Sequence, residues 1–97
     1  MSIRTEAGGA RVIVCAGDFD MDTLAGLSAA CEREAESSRR LVIDVTGVTF
    51  ADSSFLNVLI TWRKRLPVAL LGPLPSRLRF LLEITGALEL FEVRDHA

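Results

Sequence analysis

Histidine, cysteine and tyrosine are scarce in this chain, which has one histidine, two cysteines and no tyrosine. His96 lies beside the C-terminal residue, where chains usually fray, and Cys15 and Cys31 have none of the spacings of metal ligands. We therefore predict no metal and no cofactor, and we interpret both cysteines as small buried apolar residues. The sequence also lacks a G-x-S-x-G elbow and a P-loop, so we predict that the protein is not an enzyme.

Long apolar runs and an excess of basic charge are absent as well. No run approaches the roughly 20 apolar residues of a membrane-spanning helix, and the first residues lack the basic and then apolar pattern of a secretion signal. The formal net charge of −2 argues against the basic surface of a nucleic-acid-binding protein. We expect a cytoplasmic protein that makes no direct nucleic-acid contact and does not insert into a membrane.

Apolar residues make up 49% of the 97 residues, enough for the core of a single domain spanning residues 1–97. Short apolar runs alternate with stretches of helical periodicity. Strands are predicted at residues 2–5, 10–16, 41–45, 68–71 and 90–93. Helices are predicted at about residues 23–36, 55–65 and 75–85. This order predicts an α/β fold: a mixed, mostly parallel sheet of four to five strands with three main helices packed on it.

Local signals set the predicted ends of these elements. A turn at residues 7–9 would join the first two strands as a hairpin. Thr46-Gly47 is interpreted as a break that ends the third strand. Asp20 and its neighbours offer caps for the first helix, Ser76 offers a cap for the third, and Gly86 would end that third helix.

The segment Asp52-Ser53-Ser54 lies where the strand pattern changes to the helical pattern. Aspartate and serine accept hydrogen bonds from the free N–H groups of a helix's first turn. The same N–H groups and the helix dipole favour a phosphate at this position. From these three residues alone, a plain helix cap and a phosphorylation site are both open.

The second helix has a wide apolar arc. Successive residues turn by about 100°, and its apolar side chains cover about 200° where packing on one sheet needs little more than 100°. The excess predicts that Phe55, Val58 and Trp62 are partly exposed and anchor a partner. The alternative is that a neighbouring helix covers them.

Three ordered blocks resemble the STAS domains, in particular the anti-sigma factor antagonists of bacteria. The longest, Asp44 to Leu56, is similar to the family signature of a strand followed by D-S-S/T-G-L. Gly17 to Asp20 resembles the family's G-E-L-D, and Thr85 to Val93 resembles its C-terminal block. The resemblance spans about residues 10–94 and implies the STAS fold. Family members commonly carry one more C-terminal helix, which we expect to be short or absent here.

The resemblance also implies a function and its residues. Ser54 matches the phosphorylated serine of the family, with Ser53 as the fallback, and Asp52 would position the loop. Asp18, Phe19 and Asp20 match a loop that contacts the kinase. The implied partner is an anti-sigma factor with serine kinase activity, which binds the unphosphorylated form and so frees a sigma factor. A phosphatase is a further implied partner, and an exposed Trp62 would permit a dimer.

One departure from the family keeps a second function open. The family has glycine where this chain has Phe55, and a phenylalanine there would occupy the space through which a partner reaches the serine. The alternative is an interaction subunit of a lipid-transport or stress-signalling complex, which binds an ATPase or scaffold without phosphorylation.

Overall fold

The structure, a computed structural model, describes residues 1–6 and 9–94. The strands are β1 (Ser2–Thr5), β2 (Arg11–Asp18), β3 (Leu41–Phe50), β4 (Val68–Leu71) and β5 (Glu92–Arg94). The helices are α1 (Met21–Ala35), α2 (Ser53–Arg63) and α3 (Ser76–Ile84), and a 3-10 helix covers Ala87–Leu90. Part of the predicted turn at residues 7–9, the predicted frayed end at His96 and the residues after Arg94 lie outside the described residues.

The five strands form one sheet in the order β1-β2-β3-β4-β5. β1 pairs with β2 antiparallel, and every later pair is parallel. The centre of the sheet aligns Ile13 with Ile43, and Ile43 with Leu70. The predicted α/β fold, a mixed and mostly parallel sheet with three helices, is therefore confirmed.

The two faces of the sheet differ in what covers them, because side chains alternate along each strand. Ile13, Ile43 and Leu70 belong to the main core, together with the buried residues of all three helices. Val12, Val42 and Leu71 point to the other face and form a small cluster made of strand residues. All three helices thus pack on one face.

β3 runs five residues beyond its predicted end at Val45 and ends at Phe50. β2 also extends to Asp18, so it supplies hydrogen-bond partners alongside the added residues. A Cβ at Gly47 would lie 3.0 Å from the Cβ of Ala16, so close approach of the two strands favours glycine here, and the residue does not break the strand. The longer pair carries the chain directly to the start of α2.

Three further predicted boundaries are corrected. α1 begins at Met21, two residues early, because Asp20 accepts a hydrogen bond from the Thr23 backbone N–H at 3.0 Å. Ser76 is not the cap of α3, whose N-cap residue is Pro75 and has no side-chain hydrogen bond. The strand predicted at 90–93 begins two residues later, because the 3-10 helix takes the chain to Leu90, and β5 covers Glu92–Arg94.

The expected exposure of Phe55 and Trp62 on α2 is also wrong. Phe55 is 0% exposed and its ring packs edge-to-face on Phe19 with centroids 4.9 Å apart. Trp62 is 5% exposed, and the guanidinium of Arg65 lies over its ring at 4.4 Å while pairing with Glu32 of α1 at 3.6 Å.

The wide apolar arc of α2 is buried because α2 contacts α1 on one flank and α3 on the other, as well as β4. The alternative, a neighbouring helix that covers the arc, is confirmed. Val58 is partly buried and packs against the same core.

Candidate functional site at the start of α2

Asp52 holds the start of α2. Its backbone is extended, and one carboxylate oxygen accepts a hydrogen bond from the Ser54 backbone N–H at 2.9 Å. Ser53 and Ser54 are the first two helical residues, and both are exposed. Two hydroxyl groups are thus fixed at the surface on a capped helix.

The two serines line different grooves. Ser54 faces α1 across a groove of about 340 Å³ that Asp52 also lines. Phe19, Asp20, Met21 and Leu24 form the opposite wall. The hydroxyl of Ser54 therefore lies in a groove that also contains two carboxylates and the exposed side chain of Met21.

Ser53 faces α3 across a larger groove of about 580 Å³. The α3 wall consists of Ser76, Arg77, Phe80 and Leu81. Asp52 lines this groove as well, so it combines apolar side chains with one carboxylate and one guanidinium.

Exposed aspartates surround the α1 side of the site. Asp18 accepts a hydrogen bond from the Thr49 hydroxyl at 2.6 Å. The backbone N–H and the hydroxyl of Thr23 both donate to Asp20, and these bonds lower the pKa of that carboxyl. Asp22 follows in the first turn of α1. A partner on this side meets negative charge.

The structure brings together some of the predicted site residues and separates others. Asp20, Asp52 and Ser54 line one groove, and Ser53 lies beside them. Phe19 is buried, so it supports the site from beneath rather than contacting a partner.

Asp18 is exposed at the end of β2 and directly precedes Phe19 and Asp20 in the sequence. Phe55 lies beneath the site, and Trp62 lies two turns further along α2.

Sequence reasoning missed the residues on α3. Phe80 and Ile84 are 58% and 62% exposed, and Arg77 precedes them on the same side of the helix. The spacing of Arg77, Phe80, Leu81 and Ile84 was visible in the sequence. The helical pattern predicts Leu78, Leu81, Leu82 and Thr85 on the inner side of α3. Leu78 and Leu82 are buried there, whereas Leu81 is only half-buried and lines the groove, and Thr85 is exposed.

The cysteines and acidic residues show no arrangement typical of catalysis or metal binding in the described ranges. Burial raises the pKa of both Cys15 and Cys31 to about 12, which leaves them as unreactive thiols. Within residues 1–6 and 9–94, no group of three or more His, Cys, Asp or Glu side chains could hold a metal ion. Nor does that part of the chain contain a helix long and apolar enough to cross a bilayer.

Comparisons with known proteins agree with the fold. The family model described as "Mlab, STAS domain" matches residues 3–92. A crystal structure of an anti-sigma factor antagonist from Mycobacterium paratuberculosis is similar over 97% of this chain and 83% of that chain. Its TM-score is 0.77 and its sequence identity is 27%. No curated protein matches the sequence. Because the family model covers nearly the whole sequence, the chain belongs to the STAS-domain family.

Proposed function

We propose that this protein is a cytoplasmic anti-sigma factor antagonist without catalytic activity of its own. In its unmodified form it binds an anti-sigma factor that is a serine kinase, and this binding releases a sigma factor. The observation that carries the proposal is the exposed Ser54 at the capped start of α2. The similarity to an anti-sigma factor antagonist at 27% identity supports the same role.

Phosphorylation of Ser54 would act as a switch through charge. A phosphoserine adds about −1.5 to −2 charge at neutral pH. The first-turn N–H groups of α2 favour that charge, so the domain should remain folded. Asp20 and Asp52 line the same groove, however, so the phosphate would add to an already negative surface. A partner selected for the neutral hydroxyl would then be repelled and sterically blocked.

Phe55 is compatible with this mechanism, although the family has glycine there. Its side chain points into the core against Phe19 and leaves the space outside Ser54 free. The concern that a phenylalanine would block a partner's approach to the serine therefore has no support in the described contacts.

The test uses the purified anti-sigma factor kinases encoded in the same genome. Each is incubated with the protein and ATP, and mass spectrometry of the peptide spanning Ser53 and Ser54 reports any phosphate. We expect one phosphate, lost in Ser54→Ala and kept in Ser53→Ala. In binding assays Ser54→Ala should retain affinity and Ser54→Asp should lose it. Equal affinity of both variants for the cognate partner would refute the switch.

The second candidate is an interaction subunit of a lipid-transport or stress-signalling complex that works without phosphorylation. The observation that favours it is the match of residues 3–92 to the family model described as "Mlab, STAS domain", a description that does not mention sigma factors. The same experiment separates the two functions. A stable complex with an ATPase or scaffold, unchanged by ATP and with no phosphate on either serine, would favour the second.

A further inference from the structure

The two walls of the groove beside Ser54 come from segments that are far apart in the sequence. The start of α1 supplies one wall, and the start of α2 supplies the other. Each start is held by its own cap, Asp20 on α1 and Asp52 on α2, and each cap bonds to its own helix. The caps therefore fix each helix start separately, and the spacing of the two walls depends on contacts between the segments.

Contacts near the groove join the two segments at three points. The Thr49 hydroxyl donates to Asp18 at 2.6 Å. The Phe19 backbone N–H donates to the Phe50 carbonyl at 3.0 Å. The third contact is the edge-to-face packing of the Phe19 and Phe55 rings, whose centroids are 4.9 Å apart. The first two contacts reach the end of β3, whereas the ring contact reaches α2 itself.

The ring contact lies directly behind residues that line the groove. Phe19 precedes Asp20 in the sequence, and Phe55 follows Ser54. Phe19 is 1% exposed and Phe55 is 0% exposed, and both belong to the main core. Side chains in a close-packed core do not shift without displacing their neighbours. A movement of either helix start is therefore resisted by the other.

The ring contact also gives a role to the position at which this chain departs from the family. A glycine at position 55 would have no side chain to reach Phe19. The phenylalanine of this chain supplies an aromatic contact, and such pairs stabilise beyond the area that they bury. A partner then meets a groove whose walls are already in place. Preformed surfaces bind more tightly, because less conformational freedom is lost on association.

We infer that Phe19 and Phe55 are positioning residues that set the start of α1 against the serines of α2, so that the groove beside Ser54 is formed before a partner binds. Both rings are buried and act through the lining residues Asp20 and Ser54. The inference rests on the proposed function for its partner, and it adds two positioning residues to that site.

The test replaces each ring by leucine, which keeps an apolar side chain and removes the aromatic contact. Leucine is a better helix former than phenylalanine, so Phe55→Leu does not weaken α2 through helix propensity. Phe91→Leu is the matched control, because Phe91 is buried in the same core but does not line the groove beside Ser54. Circular dichroism and urea denaturation establish that each variant is folded under the assay conditions.

The first measurement needs no partner. Hydrogen exchange followed by NMR reports the opening of the Thr23 amide, which donates to Asp20 in the first turn of α1. The ends of helices exchange by local opening, so a change in global stability alone leaves this rate unaltered. We expect Phe55→Leu to speed the exchange at least about threefold relative to Phe91→Leu, although position 55 is on the other helix. Equal rates in these two variants would overturn the inference.

The second measurement is isothermal titration calorimetry with the purified anti-sigma factor that binds the wild-type protein. We expect Phe19→Leu and Phe55→Leu each to weaken binding about threefold to tenfold. The double variant should lose less than the product of the two effects, because the same contact is removed in all three proteins. Phe91→Leu should bind within about twofold of the wild type.

Two binding results would overturn the inference while leaving the proposed function intact. One is a double variant whose loss equals the product of the single losses, and the other is an equal loss in Phe91→Leu. If the wild-type protein binds none of the anti-sigma factors, the proposed function fails. The exchange rate of the Thr23 amide then decides by itself whether the rings couple the two helix starts.

Discussion

Helices α2 and α3 both carry apolar residues on more than one side, yet they differ in what happens to the second side. On α2, Phe55 and Trp62 are almost completely buried. On α3, Phe80 and Ile84 are more than half exposed. α2 contacts a helix on each flank, whereas the outer flank of α3 faces outward next to the groove at Ser53.

The comparison shows that the angular width of a helix's apolar arc does not determine how much of that arc is exposed to solvent. An arc of about 200° exceeds what one sheet can cover. In the middle of a helical layer, neighbouring helices cover the rest. At the end of the layer, the same excess remains exposed.

The sharpest way to break this comparison is to remove one ring from each helix. Phe55→Ala should lower the free energy of unfolding by roughly 3–5 kcal/mol, because it leaves a cavity against Phe19. Phe80→Ala should change it by no more than about 0.5 kcal/mol. Urea denaturation followed by circular dichroism measures both. Similar losses for the two variants would contradict the assigned roles of the helices.

A smaller effect distinguishes the starts of the two helices. Asp52→Ala removes the hydrogen bond to the Ser54 N–H and should cost about 1 kcal/mol of stability. Ser76→Ala at the start of α3 should cost less than about 0.5 kcal/mol, because Ser76 is not a cap. The same denaturation assay applies, and Asp52→Asn should retain most of the cap. A larger loss for Ser76→Ala than for Asp52→Ala would show that the cap assignments are reversed.

Acid should loosen the start of α1 without a matching effect at α3. The hydrogen bonds from Thr23 hold the pKa of Asp20 below its ordinary value of 3.8. The folded-state pKa is depressed, so this stabilisation is fully present above 3.8 and is lost as the pH falls through the lower native value. An NMR titration of the Thr23 amide should report that pKa, and Asp20→Asn should flatten the curve. A midpoint at or above 3.8 would contradict the capping geometry.

The smallest expected effect is in the quenching of tryptophan fluorescence by iodide, which reports how exposed each helix position is. Trp62 should be poorly quenched by iodide in the folded protein, because its ring is buried and covered by Arg65. A tryptophan introduced by Phe80→Trp should be quenched strongly, because the side chain at that position is 58% exposed. Strong quenching of Trp62 in the folded wild-type protein would contradict its burial and would make α2 a candidate partner surface again.

Local patterns were enough to predict much of this structure. The run at 68–71 was predicted as a buried strand and forms β4 with all four residues buried. The cap at Asp52 and the exposed serines also follow from local chemistry, since a cap needs only the next helical turn. Gly86 was expected to end α3 and lies beyond it with a φ of +75°.

The parts that could not be predicted depend on neighbours distant in sequence. β3 continues past Thr46-Gly47 because β2 lies beside it, which no local pattern reveals. The exposure of Phe55 depends on how many helices flank α2. The helical pattern grouped Leu81 with the inner residues Leu78 and Leu82, and only the position of α2 shows that Leu81 lines a groove instead. Arg77 became a site residue only when the fold placed it opposite Ser53.

The strand order of the sheet has a consequence for how the chain assembles during synthesis. Each strand pairs with its predecessor in the sequence, so no later strand must be inserted between two that have already formed. Every new strand therefore adds at a growing edge, and the contacts it needs come from segments already made. Such a sheet can be completed from the N-terminus onward, with β5 as the last strand added.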